Sequence, residues 1–540
     1  MAQLPESKTA TDPGEVEKSQ PYDGHGTEED PFVVEFQSDD PENPMNWSQL
    51  RKWFVTTIVT LSVFAVTLTS SAYSVSANEV FQDFDIGNEV FILGLSLFVL
   101  GFAIGPAVWG PLVRMFPAWL RYLFDHELTI YLFLVAIRSE LYGRRILWII
   151  SHVAMVAFLG GSAGSQNVAT LLVLRLFAGT FGGSPLVNSG GAIADLFPPA
   201  QRGLAMTIYC VAPFLGPVLG PVIGGFVSEN IGWRWVQGVC CIFIGVIGIL
   251  GTVFVPETYG PVLLTRKASS LSMADGMVYI SVLEKGQGKK KPSEVFQRAL
   301  VRPWVLLFRE PIVLVASLYM AIIYGTVYMF MGAMPIVYNE GRGWSEGIGG
   351  LSFMGITVGI ILGVVYAIYD NNGRYMKLSR SKTATAESRL PPAIVGGVAL
   401  PVGMFAFAWT NYPSIHWSVS IVLSAPFGFG CVLVILPVIN YLIDSYTIYA
   451  ASVLAAAAIF RSIVGAVFPL FTTQMYDKLG IHWASSIPAF LTLVCMPFPL
   501  VMYRYGAALR VKCKYAFEAA EMMRKMQQAR VSAEQGYESE

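Results

Sequence analysis

Residues 203–226 read GLAMTIYCVAPFLGPVLGPVIGGF, without one Asp, Glu, Lys or Arg. As a helix rising about 1.5 Å per residue, the stretch would reach about 36 Å, more than the roughly 30 Å hydrocarbon core of a bilayer. Gly216, Gly220 and Gly224 recur every fourth position, with Gly225 beside the last, and so share one helix face. A face without side chains lets a neighbouring helix come close. Pro213, Pro217 and Pro221 follow the same interval; each removes a backbone hydrogen bond and bends the helix. The segment reads as a membrane span. Close packing combined with bending suits a joint between two moving bodies, while static packing is the alternative.

Eleven further apolar runs of spanning length lie near 54–77, 88–112, 146–165, 169–193, 236–256, 312–336, 347–369, 391–411, 416–439, 448–472 and 484–503. Composition agrees: 54% of the residues are hydrophobic and 14% charged, and mean hydropathy is +0.54. A soluble domain carries about 25% charged residues. No series of alternating ten-residue strands is present, which argues against a membrane β-barrel. The expected fold class is all-α and integral to the membrane, with twelve transmembrane helices in two six-helix halves. The expected divisions are a disordered tail at 1–53, a first half at 54–256, a basic linker at 257–310, a second half at 311–504 and a tail at 505–540. The six cysteines show neither zinc-site nor disulfide spacing and read as small apolar packers.

Basic residues set the expected orientation. With the N-terminus in the cytosol, the inner loops hold Arg144, Arg145, Arg202, the basic linker, Arg374, Lys377, Arg380, Lys382 and Arg389, and the C-terminal tail adds Arg504, Arg510, Lys512 and Lys514. The outer loops hold Arg234, Arg342 and Lys478. Both termini are therefore expected in the cytosol. Residues 113–138 are apolar enough to tempt a thirteenth span. Arg121, Asp125, His126 and Glu127 oppose it, at a cost of about 2.5–3.5 kcal/mol per charge at a helix centre, and a span here would invert every later loop. The segment is expected on the cytosolic side, as an interfacial helix.

Without that segment, Gly110, Pro111 and Leu112 would join Ser139, Glu140, Leu141, Tyr142, Gly143, Arg144 and Arg145. The joined GPLSELYGRR resembles the motif between the second and third helices of the major facilitator superfamily. LLVLRLFAGTFGG at 171–183 is similar to that family's fourth-helix arginine motif, and 211–225 to its antiporter fifth-helix motif. NPMNWS before the first span, PETY at 256–259, RPWVLLFREPI at 302–312, LPPAIVGG at 390–397, NYLIDSY at 440–446 and FRSIVGAVFPLF at 460–471 extend the likeness. Together they resemble the fungal drug:proton antiporters with twelve spans, from Asn43 to about Arg510. The insertion 113–138 departs from the family. A translated intron, which the clean closure of the motif favours, a lineage-specific loop and a sequence error are the competing explanations; a real insertion would part the two pieces of the motif and impair transport.

The resemblance implies a gating charge network on the cytosolic side from Gly110, Glu140, Gly143, Arg144 and Arg145. It implies a second latch from Asp195 and Arg202, for which helix capping by Asp195 is the rival reading. Arg175, in an apolar run, is a functional candidate by default. The resemblance assigns it to proton coupling; pairing with backbone carbonyls is the structural alternative. Arg461 sits in the middle of the eleventh span, where it would bind an anionic group, pair with an acid, or simply pack. Glu79, Asp83 and Asp444 lie near span ends, so no obvious proton carrier stands out. Tyr73, Asn188, Tyr209, Tyr324, Tyr328, Asn440, Tyr441 and Phe460 are candidates for a substrate cavity on helices that line the centre in this family, though each alone fits packing.

The functional expectation is a secondary transporter, not an enzyme, that exports drug-like, toxin-like or polyamine-like solutes at the plasma membrane. A proton gradient would drive it, with no cofactor and no metal. Its partners would be the lipid bilayer, protons and a small-molecule substrate, with no nucleic acid, and the chain would act as a monomer. No GxxxxGK[ST] loop is present to support an ATP-driven pump. An uptake carrier of the same fold is the runner-up. Five scattered histidines give no cluster for a membrane enzyme, and a receptor would not need two six-helix halves.

Overall fold

The computed structural model describes residues 22, 24–37, 39–123, 143–282, 285, 292–381 and 383–538. The apolar runs become helices because lipid offers backbone amides and carbonyls no partners, so each run must satisfy its own. The first half is built from α1 (Gln49–Ala72), the short α2 (Ala77–Phe84), α3 (Asn88–Leu123), α4 (Arg144–Ala163), α5 (Val168–Leu196), α6 (Pro199–Ile231) and α7 (Trp233–Phe254). Side chains fix two of the starts: Ser48 accepts from the Arg51 amide, and Asn167 from the Thr170 amide at 2.8 Å.

After α8 (Gly260–Asp275) and α9 (Pro292–Arg309), the second half comprises α10 (Pro311–Met334), α11 (Glu346–Gly350), α12 (Met354–Asp370), α13 (Met376–Arg380), α14 (Pro391–Trp409), α15 (Trp417–Leu423), α16 (Ala425–Ser445), α17 (Ala450–Cys495) and α18 (Pro497–Lys512), then the tail helix α19 (Lys514–Glu538). Among the described residues, eleven stretches are long and apolar enough to cross a membrane. The last covers 66 residues, about 100 Å of helix, and holds both the eleventh and twelfth expected spans. Gly480 divides it, with φ 72 and ψ 166, a conformation that breaks helical hydrogen bonding.

Within the first half, α1 packs on α6, α3 on α5, and α4 on α5 and α7; within the second, α10 packs on α17, and α16 on α12 and α14. The halves meet where α3 lies along α17 and where α6 meets α11 and α12. The core runs from one half into the other, with Phe98, Phe214, Tyr324, Tyr328 and Val453 in one apolar cluster.

Three expectations are revised. First, residues 113–123 are no separate interfacial helix: they continue α3 to Leu123. The rest of the insertion, with Glu140, falls outside the described residues. Second, the described residues of the tail up to 46, namely 22, 24–37 and 39–46, form a small unit of their own with the stretch from Gly260. There β1 (Phe32–Val34) pairs in parallel with β2 (Tyr279–Ser281), Val34 packs on Leu264 and Ala268, and Lys267 Nζ meets Asp40 at 2.5 Å. The apolar Phe32–Val34 patch in an otherwise acidic tail supplies the reason. Third, the chain after residue 505 starts as docked helix: the Tyr515 amide donates to Glu310 at 2.9 Å, and Tyr449 donates to Glu518 at 3.0 Å.

The glycine face of α6 also differs in its partner. Gly216, Gly220 and Gly224 abut α1 of the same half, where a Cβ would overlap Thr67, Ser71 and the Ala72 carbonyl. Contact with the other half falls to Gly225, against Glu346 and Gly347, and to Pro221, whose carbonyl Gly350 approaches. Despite its three prolines, α6 stays helical from Pro199 to Ile231. Replacing Gly220 with Val should therefore force α1 and α6 apart at a cost of about 1–3 kcal/mol. The melting temperature of the purified protein in detergent should drop accordingly. Gly373→Ala, where a Cβ meets nothing within 4 Å, should leave it unchanged.

Candidate transport site and its latches

Gly143 precedes α4 with φ 145, a conformation that favours glycine, and a Cβ there would run into the Glu257 carboxylate. Glu257 Oε1 accepts from the amides of Arg144 at 3.1 Å, Thr258 at 3.0 Å and Tyr259 at 2.8 Å; Oε2 accepts from the Arg145 amide at 3.1 Å. A carboxylate thus sits on the N-terminus of α4, where unpaired amides and the helix dipole favour negative charge. Arg144 Nε pairs with Asp195 Oδ2 at 2.9 Å, and its guanidinium lies over the Tyr259 ring. Gly191 leaves it room. Asp195, in the last turn of α5, is therefore an ion-pair partner, and at the start of α6 the cap position is Pro198, with no side-chain cap hydrogen bond. Arg145 Nη2 donates to the Thr252 carbonyl and Arg202 Nη2 to the Ala194 carbonyl, each at 2.9 Å.

The ends of α4, α5 and α7 are thereby tied together. Gly110 lies inside α3, and its position against this network is not described. Glu257 is the residue that sequence reasoning missed. PETY marked its segment, but only the fold brings it to amides more than a hundred positions earlier.

The second half repeats the scheme. Arg389, just before α14, pairs with Asp444 near the end of α16 at 3.0 Å, as Arg144 at the start of α4 pairs with Asp195 near the end of α5. Arg510 adds a pair with Glu387 at 2.7 Å. Tyr441 belongs to this neighbourhood: its hydroxyl lies 4.0 Å from Met502 Sδ and beside Gly506.

These latches mark the end of the bundle at which α1 begins and α18 finishes. At the opposite end, α2 carries Glu79 and Asp83 onto the start of α7. Trp233 donates its indole N–H to Asp83 at 2.8 Å and its amide to Glu79, and Arg234 also pairs with Asp83. The indole bond first, and then the guanidinium, hold the Asp83 carboxyl below the usual carboxylate range. Hydrogen bonds join the halves here: Gly347 N–H to Glu229 at 2.9 Å, Asn78 to Glu346 at 3.3 Å, Gln474 to Glu89 at 2.9 Å and Asn88 to Thr473 at 3.0 Å. Toward the latched end, Cys210 of α6 packs with Tyr366 and Phe429.

Between these ends lie two arginines with contrasting surroundings. Arg175, 0% exposed, gives Nε to the Gly94 carbonyl at 2.7 Å, Nη1 to Gln237 Oε1 and Nη2 to the Ser70 carbonyl, both at 3.3 Å. Tyr73 covers it at 4.2 Å and Phe98 at 5.1 Å. Tyr73 is thus part of the Arg175 housing, stacked on Phe91.

Arg461 stands 5.0 Å above the Tyr324 ring, and its buried Nε has no hydrogen-bond partner. Tyr324 and Tyr328 place their hydroxyls 3.4 Å apart, and Tyr328 reaches across the halves to Ser70 at 2.8 Å. Tyr209 gives its hydroxyl to the Leu186 carbonyl at 2.8 Å. Asn188 bonds Ser184 in the first half; Asn440 and Phe460 are half-buried on α16 and α17. The structure thus brings Tyr324, Tyr328 and Arg461 together, with Tyr209 bonded to Leu186, Tyr73 beside Arg175 and Tyr441 beside Met502.

The Arg144–Asp195 pair is largely buried, so its partners should be energetically coupled. A double-mutant cycle with Arg144→Gln and Asp195→Asn, read by thermal unfolding in detergent, should give an interaction energy of about 0.5–3 kcal/mol. Additive effects would show that the pair is not a latch.

The comparisons with known proteins agree with this geometry. Residues 128–469 match the family described as Major Facilitator Superfamily. A "Major facilitator-type transporter sorT" of Penicillium rubens is 77% identical over 98% of this chain and 97% of its own. An "MFS-type efflux pump MFS2" of Trichophyton rubrum is 54% identical over 97% of this chain and 85% of its own. The solved structure of the proton:xylose symporter XylE bound to 6-bromo-6-deoxy-D-glucose superposes with a TM-score of 0.58, at 17% identity, over 85% of this chain and 96% of that one. With two tied helical halves meeting around a central tyrosine–arginine cluster, and with these relatives, the chain belongs to the major facilitator superfamily.

Proposed function

We propose that the protein is a proton-coupled exporter of drug-like or toxin-like small molecules, working by alternating access at the plasma membrane with both termini in the cytosol. The observation that carries the export direction is the 54% identity, along nearly the whole chain, to a protein named as an efflux pump. The basic residues gathered at the latched end support a cytosolic placement of that end. The structure then corresponds to a state closed toward the outside, where α6 and α11 meet.

Opening that side must break a handful of hydrogen bonds between the halves, each worth about 0.5–1.5 kcal/mol net. This is a barrier that substrate or proton binding is able to shift. The latches within each half keep the ends of its helices moving as one body. Arg175 and Arg461 are the cations whose fields would bias a nearby proton site. The driving force is the proton gradient, with no cofactor, no metal and no enzymatic step; a single chain suffices.

A second reading, an uptake carrier, is favoured by one fact: the superposed solved structure is a symporter. Expression in yeast lacking its own drug exporters separates the two. The chain, with and without residues 113–138, should lower retention of at least some fluorescent drugs or polyamines, and a protonophore should abolish the effect. Accumulation instead of loss would establish uptake. If only the shortened chain exports, the insertion inactivates the transporter.

A further inference from the structure

The two membrane arginines carry the same sequence signal but opposite hydrogen-bond states. Arg175 has a partner on each of its three guanidinium nitrogens. Arg461 has a buried Nε with none, and no ion pair among the described residues includes it. About 16 Å of helix separates it from the start of α17, which places it near the middle of a core about 30 Å thick. Tyr324 lies against it and Tyr328 is joined to Tyr324, both of a type uncharged near neutral pH. No side chain among these neutralises the guanidinium.

Tyr324 covers one face of Arg461, and Gly465, one turn along α17, makes room for that ring. The edge bearing Nε is left over. A guanidinium edge with an Nε and an Nη donor matches the two oxygens of a carboxylate in a bidentate fork. The adjoining tyrosines offer π faces and apolar edges for a flat body. Tyr328, joined to Tyr324 on α10, reaches Ser70 of α1, so the site lies where both halves meet.

Resting on the transport reading, we infer that Arg461 is the anion receptor of the substrate site, and that the preferred cargo is an amphipathic organic acid with an aromatic or conjugated body, carried as its anion. Outward movement of an anion is also favoured by an inside-negative potential. Polyamines, which would bring further positive charge beside an unneutralised guanidinium, fall outside this class.

Binding tests the inference without depending on flux. Purified full-length protein in detergent is melted with pairs that differ only in charge, 1-naphthoate with 1-naphthamide and cinnamate with cinnamamide, and with acetate as a charge-only probe. The wild type should bind each carboxylate at least tenfold more tightly than its amide, and acetate should give no shift. Arg461→Gln should bring the ratio close to one while the amides bind as before. Arg461→Lys, which keeps the charge and loses the fork, should fall between, and stands in if the Gln variant does not fold. Equal binding of acid and amide by the wild type in both pairs, or an unchanged preference in either variant, overturns the inference. A shift with acetate equal to that with naphthoate would reduce the site to an inorganic-type anion trap and overturn the cargo class. Absence of drug efflux alongside a confirmed acid preference would overturn the transport direction and leave the receptor standing.

Discussion

A polar group inside a bilayer has to find its partner within the protein, because lipid supplies none. For the backbone this forces helices. For side chains it is more exacting, since a charge at a helix centre costs about 2.5–3.5 kcal/mol. Arg175 meets that cost with a carbonyl from α3, a carbonyl from α1 and the amide of Gln237 on α7. Hydrogen bonds to charged groups return about 1.5–3 kcal/mol each, so three of them more than offset the burial. The same residue thereby ties four helices of one half into a unit.

The ends of each half are tied by the same rule. Glu257 is held by four amides, two of them at the N-terminus of α4, and Arg144 turns the other way to Asp195 on α5. Arg389 and Asp444 repeat the relation in the second half. Between the halves the contacts are a shared apolar core, backbone approaches at glycines, and single hydrogen bonds such as that joining Ser70 and Tyr328. Among the described residues the ion pairs of the bundle lie within one half or the other, which suits the alternating access proposed above.

The spans were legible in the sequence because absence of charge over twenty residues has one physical solution. Arg144 was legible through its glycine and twin arginines, and Asp195 through its place at the end of an apolar helix, but the resemblance implied a latch between the halves whereas their pair lies within the first. Glu257 was not, since its partners are backbone amides that leave no mark in composition. Periodicity disclosed the glycine face of α6 but not its owner: four-residue spacing defines a face and says nothing of which helix lies on it, and α1 proved to be that helix. The partners of Tyr441 and Tyr73 were not legible for a related reason. A tyrosine in an apolar helix signals only that its hydroxyl needs an answer, and Met502 or Arg175 is as near as any cargo.

Arg175 and Arg461 show most sharply where sequence stops. Each interrupts an apolar helix and each lies beside a tyrosine, Tyr73 in one case and Tyr324 in the other. By the rule for buried charge both are suspects. What separates them is the count of donors already satisfied, and that depends on carbonyls and amides from helices far away in the chain. A fully bonded arginine has no free donor to offer a cargo and acts on the site through its field and its packing. An arginine with a buried, unanswered Nε at the boundary between two halves still carries an unmet demand, and a cargo with an anionic oxygen is the group best suited to meet it when the halves close around it.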